Sequence, residues 1–125
     1  MEVLLVSGIS DAEETHIPFS VVVTNSVTPC DPKTYSTYVL ERGILLGGLR
    51  RLQDCDKDFM FTYTEDPNYG PFLQSVNGLA GNPEKHTYWE LLGKKPNGQI
   101  IRLDVGIGCY IPSANEEIIL NYTKY

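Results

Sequence analysis

The sequence predicts an α+β fold in which a mostly antiparallel β-sheet carries one packed helix. Several short runs alternate apolar and polar residues between Gly, Pro, Asn and Asp, as half-buried strands do. Only one segment shows the spacing of an amphipathic helix. The 125 residues are 42% apolar and 21% charged, which suits one globular domain, residues 1–125, with a hydrophobic core.

The predicted strands are short and are separated by turn-forming residues. They cover residues 3–6, 19–24, 59–64, 72–76, 87–92, 100–105, 109–111 and 117–122. The predicted loops and turns cover residues 25–35, 65–71, 77–85 and 96–98. In strand 87–92, Trp89 and Leu91 share one face. In the last strand, Ile118, Leu120 and Tyr122 share a face.

Apolar residues at helical spacing predict one helix over residues 37–53. They are Leu40, Ile44, Leu45, Leu49 and Leu52. Thr37 or Ser36 is placed to cap its N-terminus. Three glycines, at positions 43, 47 and 48, each cost about 1 kcal/mol relative to alanine, so we expect its C-terminal half to be short or irregular.

Composition excludes several classes of partner. The net charge of −6 and the pI of about 4.8 argue against nucleic acid, whose phosphates require basic patches. No apolar run approaches the roughly 20 residues of a membrane helix, so we expect no membrane contact. The opening MEVLLVSGIS has an apolar run of four residues and no basic leader, so we expect no signal peptide.

The cysteines and a sequon leave the compartment open. Cys30, Cys55 and Cys109 form neither a CxxC pair nor a zinc spacing. One disulfide with a spare thiol and three reduced, buried thiols are equally compatible with the sequence. The tripeptide at Asn121 fits the N-glycosylation signal, so Asn121 is a candidate glycan site.

Two motifs resemble chemical sites without meeting their requirements. Asp54, Asp56, Asp58 and Glu65 partly match a calcium loop, but Phe59 stands where the loop requires glycine. An acidic turn between helix and strand is the simpler interpretation.

Catalysis by a cysteine would require Cys109 to meet His16 or His86 and an orienting group. No nucleophile-elbow pattern, zinc spacing or phosphate loop accompanies these residues. We therefore expect a buried, inert Cys109 and no enzyme.

Aromatic and apolar side chains beside glycine-rich bends form a candidate ligand site. Tyr69 and Phe72 flank a Gly-Pro turn, and Trp89 and Leu92 lie on the next strand. The third group surrounds a bend and comprises Leu103, Val105, Gly106, Ile107 and Gly108. The glycines would let backbone approach a bulky ligand closely.

The blocks FTYTEDPNYGPFLQSVNGLAG, HTYWELL and VGIGCYIPSANEEIILNYTKY resemble the C-terminal β-domain of the cobalamin carriers transcobalamin, intrinsic factor and haptocorrin. The resemblance is strongest over residues 59–125 and continues more weakly towards the N-terminus. It implies a secreted, extracellular transport module that binds cobalamin without catalysis and covers one face of the corrin ring. The implied contacts are Phe72, Trp89, Leu92, Leu103, Val105, Gly106, Ile107 and Gly108, and Tyr69 joins the candidate site from the residue pattern alone.

In these carriers a larger helical domain closes over the ligand from the other side. The resemblance therefore implies a stand-alone domain whose partners are a separate helical carrier domain or a cell-surface receptor. The alternative is a protein-interaction module that keeps the carrier fold without the ligand.

Overall fold

The computed structural model describes residues 15–68, 70–103 and 105–125 and confirms the α+β class. The elements are β1 (His16–Asn25), β2 (Lys33–Leu40), α1 (Leu45–Cys55), β3 (Phe61–Asp66), β4 (Gly70–Val76), β5 (Leu79–Ala80), a 3-10 turn (Pro83–Lys85), β6 (Thr87–Lys94), β7 (Ile100–Arg102) and β8 (Glu116–Lys124). The predicted strand at residues 3–6 lies outside the described residues. Within the described ranges, no helix has the length and apolar character needed to cross a membrane.

The strands form two sheets. The larger has five strands in the order β2-β1-β8-β6-β7, and the smaller has three in the order β3-β4-β5. β1 and β8 pair in parallel, and the other described pairs are antiparallel. Trp89 of β6 lies opposite Tyr122 of β8 in this register. The arrangement places β8, the last strand, at the centre of the larger sheet.

Both sheets and the helix contribute to one hydrophobic core. Burial alternates along β8, where Ile118, Leu120 and Tyr122 point inward, as the sequence predicts. The largest fully buried apolar side chains are Phe59, Leu45, Leu49, Ile107, Ile118, Leu120, Val21 and Val76. Burial of apolar surface on this scale is the main force that holds the two sheets together.

The predicted helix boundaries are wrong at the N-terminal end. Residues 37–40 belong to β2, where Tyr35 and Val39 are buried at alternate positions, and the helix begins at Leu45. Ile44 is the N-cap and offers no side-chain bond. Thr37 instead donates its hydroxyl to the Gly48 carbonyl at 3.0 Å. The spacing of the leucines predicts a longer helix because Leu40, although it belongs to β2, lies at a position that fits the helical period.

The helix also continues through its glycines to Cys55, contrary to the expectation of an irregular second half. The reason is steric for Gly48, which faces the larger sheet. A Cβ at position 48 would lie 2.6 Å from Phe19 Cζ and 3.1 Å from Val39 Cγ1. Gly48 therefore allows the helix to pack closely on β1 and β2, and this contact outweighs its poor helix propensity.

Two predicted strands near the end of the chain differ in the structure. β7 ends at Arg102, and residues 109–111 form no strand. The backbone turns there instead, with the N–H groups of Cys109 and Tyr110 donating to the Gly106 carbonyl at 3.1 and 3.2 Å. Cys109 is exposed, so the expectation that it is buried is wrong.

Candidate functional site

An open apolar groove lies between the smaller sheet and the β6–β7 end of the larger one. Its volume is about 340 Å³. Pro71, Phe72 and Leu73 of β4 form one wall. The opposite wall and floor come from Tyr88, Trp89, Glu90, Leu91, Arg102, Leu103, Val105 and Gly106. Such a concave, mostly apolar site suits a ligand with a large apolar body.

Trp89 forms part of the floor of this groove. Only 5% of the residue is exposed, and its Nε1–H donates to the Leu79 carbonyl at 2.8 Å. Its ring lies 5.1 Å from that of Tyr122. The indole is thus a core residue that also borders the site.

The apolar mouth of the groove is formed by side chains that are open to solvent. Phe72 is 52% exposed and Val105 is 43% exposed. Both are large apolar residues, which gain most from losing contact with water when a ligand or partner covers them. Covering the mouth with a ligand or partner should therefore contribute more to binding than covering the buried floor.

A second compartment of about 310 Å³ adjoins the groove and shares Phe72, Leu73, Tyr88 and Trp89 with it. Tyr125 forms its outer wall. The ring of Tyr125 meets those of Tyr88 and His86 edge-on, at 5.6 and 5.3 Å. The site is therefore an elongated, aromatic-lined cleft rather than a single pit.

Charged groups lie on one side of the groove. Arg102 pairs with Glu90 at 3.4 Å and donates to the Tyr88 hydroxyl. Arg102 is largely exposed, whereas the Glu90 side chain is 20% exposed. An apolar floor with a polar rim of this kind can accept a ligand that carries amide or other hydrogen-bonding groups on its periphery.

The glycines beside the groove have a structural role that the sequence did not reveal. A Cβ at Gly108 would lie 2.7 Å from Pro71 Cδ, and one at Gly106 would lie 3.1 Å from the Pro71 carbonyl oxygen. Both glycines therefore allow residues 105–112, hereafter the 105–112 segment, to pack against the start of β4. The closest contact of both glycines is with Pro71, and Gly106 also borders the groove.

The structure brings together five of the nine predicted contacts. Phe72, Trp89, Leu103, Val105 and Gly106 line the groove. Leu92 lies on the opposite face of β6 from Trp89, Ile107 is fully buried, and Gly108 packs on Pro71. Tyr69 lies outside the described residues.

The prediction missed several lining residues. Leu91 could have been found from the alternation of side chains in β6, because it shares the face of Trp89. Glu90 and Arg102 had no such signal. They reach the groove at its edge, through the pairing of β6 with β7.

A charged cluster with a buried carboxylate lies at the start of β8, outside the lining of the groove. The Glu116 side chain is wholly buried and pairs with Lys95 Nζ at 3.0 Å. Hydrogen bonds to Tyr110 and Glu116 raise the pKa of Lys95. Burial, followed by the bond to Glu116, raises the pKa of Tyr110. At neutral pH the cluster therefore contains a protonated lysine and a neutral phenol.

Other candidate groups do not converge on a reactive centre in the described ranges. Cys30, Cys55 and Cys109 are exposed and unpaired, which is neither of the arrangements that the sequence left open. Across residues 15–68, 70–103 and 105–125, no three His, Cys, Asp or Glu side chains come together as metal ligands would.

Asn121, the predicted glycan site, is half-buried on β8. Its Oδ1 accepts from Thr24 at 2.8 Å and Ser26 at 3.1 Å, and its Nδ2 donates to Glu90 at 3.3 Å. Attachment of a glycan would require this amide to leave Glu90. Glycosylation at Asn121 stays a prediction, and mass spectrometry of the protein expressed through a secretory pathway would test it.

Comparison with curated proteins finds cobalamin-binding relatives, although no protein-family model matches the chain. Mouse "Cobalamin binding intrinsic factor" is 36% identical over 93 residues, which are 74% of this chain and 21% of the mouse protein. Human "Transcobalamin-1" is 30% identical over 117 residues, with 80% of this chain and 25% of the human protein covered. The chain therefore spans about a quarter or less of the length of these relatives.

Solved structures share the fold. Haptocorrin in complex with Cbi matches with a TM-score of 0.74 and 25% identity over 89% of this chain and 26% of haptocorrin. A putative metal binding protein from Ruminococcus gnavus matches with a TM-score of 0.59 over 87% of this chain and 98% of its own, but at 13% identity it shows the fold alone. The resemblance found in the sequence motifs is confirmed, and this chain belongs to the cobalamin carrier family.

Proposed function

We propose that this domain binds cobalamin, or a closely related corrinoid, in the groove between β4 and β6, and that it does so without catalysis. The observation that carries the proposal is the convergence of Phe72, Trp89, Leu103 and Val105 on one open apolar groove. Phe72, Trp89 and Val105 lie in the sequence blocks that resemble the carriers, and Leu103 lies two residues before the last block. The names of the curated relatives, which describe binding and not catalysis, support the same conclusion.

The groove suits one side of a corrin ring. Phe72 and Val105 at the mouth would contact the apolar macrocycle and lose water on binding. Glu90 and Arg102 at the rim would meet the amide groups that surround the ring. A groove of about 340 Å³ is too small to enclose so large a ligand, so the domain would cover one face of the ring and leave the other free.

The free face implies a second binding surface. We propose that a helical carrier domain supplies it, on the same chain or a separate one, in an extracellular transport protein. Burying both faces would raise affinity because more ligand surface is removed from water. Adding a purified helical domain to this one should therefore raise cobalamin affinity, and an unchanged affinity would count against this partnership.

The test uses Trp89, the only tryptophan, as a fluorescent reporter. Titration with cobalamin should change its emission in a saturable manner. Phe72→Ala should weaken binding by about 1–2 kcal/mol, because it removes an exposed apolar contact at the mouth. Met60→Ala is the matched control, since Met60 is 58% exposed but does not line the groove. Absence of saturable binding, or equal losses in both variants, would contradict the proposal.

Trp89 itself is a poor choice for mutation. It belongs to the core, so Trp89→Ala should cost about 3–5 kcal/mol of stability and would confuse unfolding with lost binding.

The alternative, a protein-interaction module, is favoured by the exposure of Phe72 and Val105 side by side at the mouth. It predicts no binding of cobalamin, with a purified receptor protecting the backbone amides around Phe72 from hydrogen exchange. Cobalamin binding that Phe72→Ala weakens would exclude it as the main function.

A further inference from the structure

A closed set of bonds surrounds the buried carboxylate of Glu116. Tyr110 donates its hydroxyl to Glu116 Oε2 at 2.5 Å, and the Ser113 N–H donates to Oε1 at 2.9 Å. Lys95 Nζ lies 3.0 Å from both Oε2 and the Tyr110 hydroxyl. A Cβ at Gly93 would lie 2.6 Å from Oε2, so glycine is the residue that leaves room for this carboxylate.

The cluster ties the 105–112 segment to two strands. Lys95 follows the last residue of β6, Glu116 begins β8, and Tyr110 belongs to the segment between them. None of the three lines the groove. The same segment nevertheless supplies Val105 and Gly106 to the groove wall.

The segment is also bonded to the N-terminus of α1. The N–H of Leu45 donates to the Tyr110 carbonyl at 2.7 Å, and that of Leu46 donates to the Ile107 carbonyl at 2.9 Å. These bonds satisfy helix donors that have no partner within the helix and no side-chain cap. Tyr110 thus connects the charged cluster through its side chain and the helix through its backbone.

A buried ion pair is an inefficient source of stability, since desolvation offsets much of the attraction between the charges. Replacing such a pair with apolar side chains of similar volume often leaves the free energy of unfolding unchanged or higher. Bonds of fixed direction do, however, restrict a loop to one conformation, and here the restricted loop is a wall of the proposed site.

We propose that Glu116, Lys95 and Tyr110 are positioning residues, which hold the 105–112 segment in the conformation that completes the groove. This inference rests on the proposed function for its ligand. It assigns to the cluster an effect on affinity that is separate from its effect on stability.

The first test separates the two effects with the double variant Lys95→Met/Glu116→Leu. We expect a moderate fall in the urea midpoint, because an apolar pair replaces the ion pair but the Tyr110 hydroxyl and the Ser113 N–H lose their acceptor. Cobalamin affinity should fall by between about twofold and thirtyfold, the range of coupling through residues that do not touch the ligand. Unchanged affinity in a folded double variant would overturn the proposal.

Tyr110→Phe is a milder variant, which deletes only the hydroxyl and keeps the ring. Tyr35→Phe is its matched control, because the buried Tyr35 hydroxyl bonds to the Asp58 carbonyl and the Asn77 amide, away from the groove. We expect both variants to lose similar stability and only Tyr110→Phe to lose affinity. Equal affinity losses would show that the cluster acts through stability alone.

A readout without ligand keeps the test independent of the proposed function. In Tyr110→Phe, the amides of Leu45 and Leu46 should exchange with deuterium faster than in the wild type, because their acceptors lie on the loosened segment. They should be unchanged in Tyr35→Phe. If wild-type protein fails to bind cobalamin, the proposed function fails. If these amides exchange at the same rate in both variants, the positioning role fails.

Discussion

The packing of α1 on the larger sheet can be tested by placing one methyl group at either of two neighbouring glycines. Gly47 and Gly48 both lie within the helix, and neither has a positive φ. Replacement by alanine should therefore bring both the same gain in helix propensity, about 1 kcal/mol. They differ only in their surroundings. A Cβ at Gly47 meets nothing within 4 Å, whereas one at Gly48 lies 2.6 Å from Phe19 Cζ.

The magnitude follows from this difference. Phe19 is 3% exposed, so its ring cannot swing into solvent to make room. Overpacking of this kind costs about 1–3 kcal/mol. We expect Gly47→Ala to be more stable than the wild type by about 0.5–1 kcal/mol. Gly48→Ala should lie about 1–3 kcal/mol below Gly47→Ala.

The assay is urea unfolding of the three proteins, followed by far-ultraviolet circular dichroism, with free energies compared at a common slope. The two variants serve as each other's control, because their change in composition is identical. Equal stabilisation of both would refute the close contact between α1 and Phe19, and with it the placement of the helix from Leu45 onward.

Other predictions concern charge, packing and thiols. The pKa values of Lys95 and Tyr110 are raised above their ordinary 10.5 and 10.0, so their contribution to stability is complete below about pH 10 and is lost as pH rises through the folded values. Urea midpoints should thus fall above pH 10 more steeply in the wild type than in Tyr110→Phe, and parallel curves would argue against the cluster. Gly108→Ala should cost about 1–3 kcal/mol in urea unfolding because its Cβ would meet Pro71, and a neutral result would contradict that contact. All three cysteines are exposed, so a thiol reagent should label three sites per chain without denaturant; labelling of fewer would indicate pairing or burial.

The strand positions were largely predictable because burial imposes a period of two on a half-buried strand. The inward series Ile118, Leu120 and Tyr122 shows this most clearly. The helix was harder to bound, since Leu40 continued its periodic series while belonging to β2. Residues 109–111 read as a strand from their composition, but their backbone bonds are made locally to Gly106 and to the helix.

The groove was predictable in part. The resemblance to the carriers identified Phe72, Trp89 and Val105, because all three lie within the matching sequence blocks. The contribution of Arg102 depends on the pairing of β6 with β7, and the cluster around Glu116 depends on the contact of the start of β8 with Lys95 and Tyr110. Such tertiary relations leave no local pattern of spacing or composition, so only the structure reveals them.

The central claim is that a corrinoid occupies the groove between β4 and β6, and mapping of backbone amides by ¹H–¹⁵N NMR tests it most directly. Saturating cobalamin should shift the resonances of Phe72, Leu91, Leu103, Val105 and Gly106, while those of Val22 and Ile119, paired on the outer face of the larger sheet, stay in place. Shifts confined to that outer face, or a spectrum that cobalamin leaves unchanged, would contradict the account.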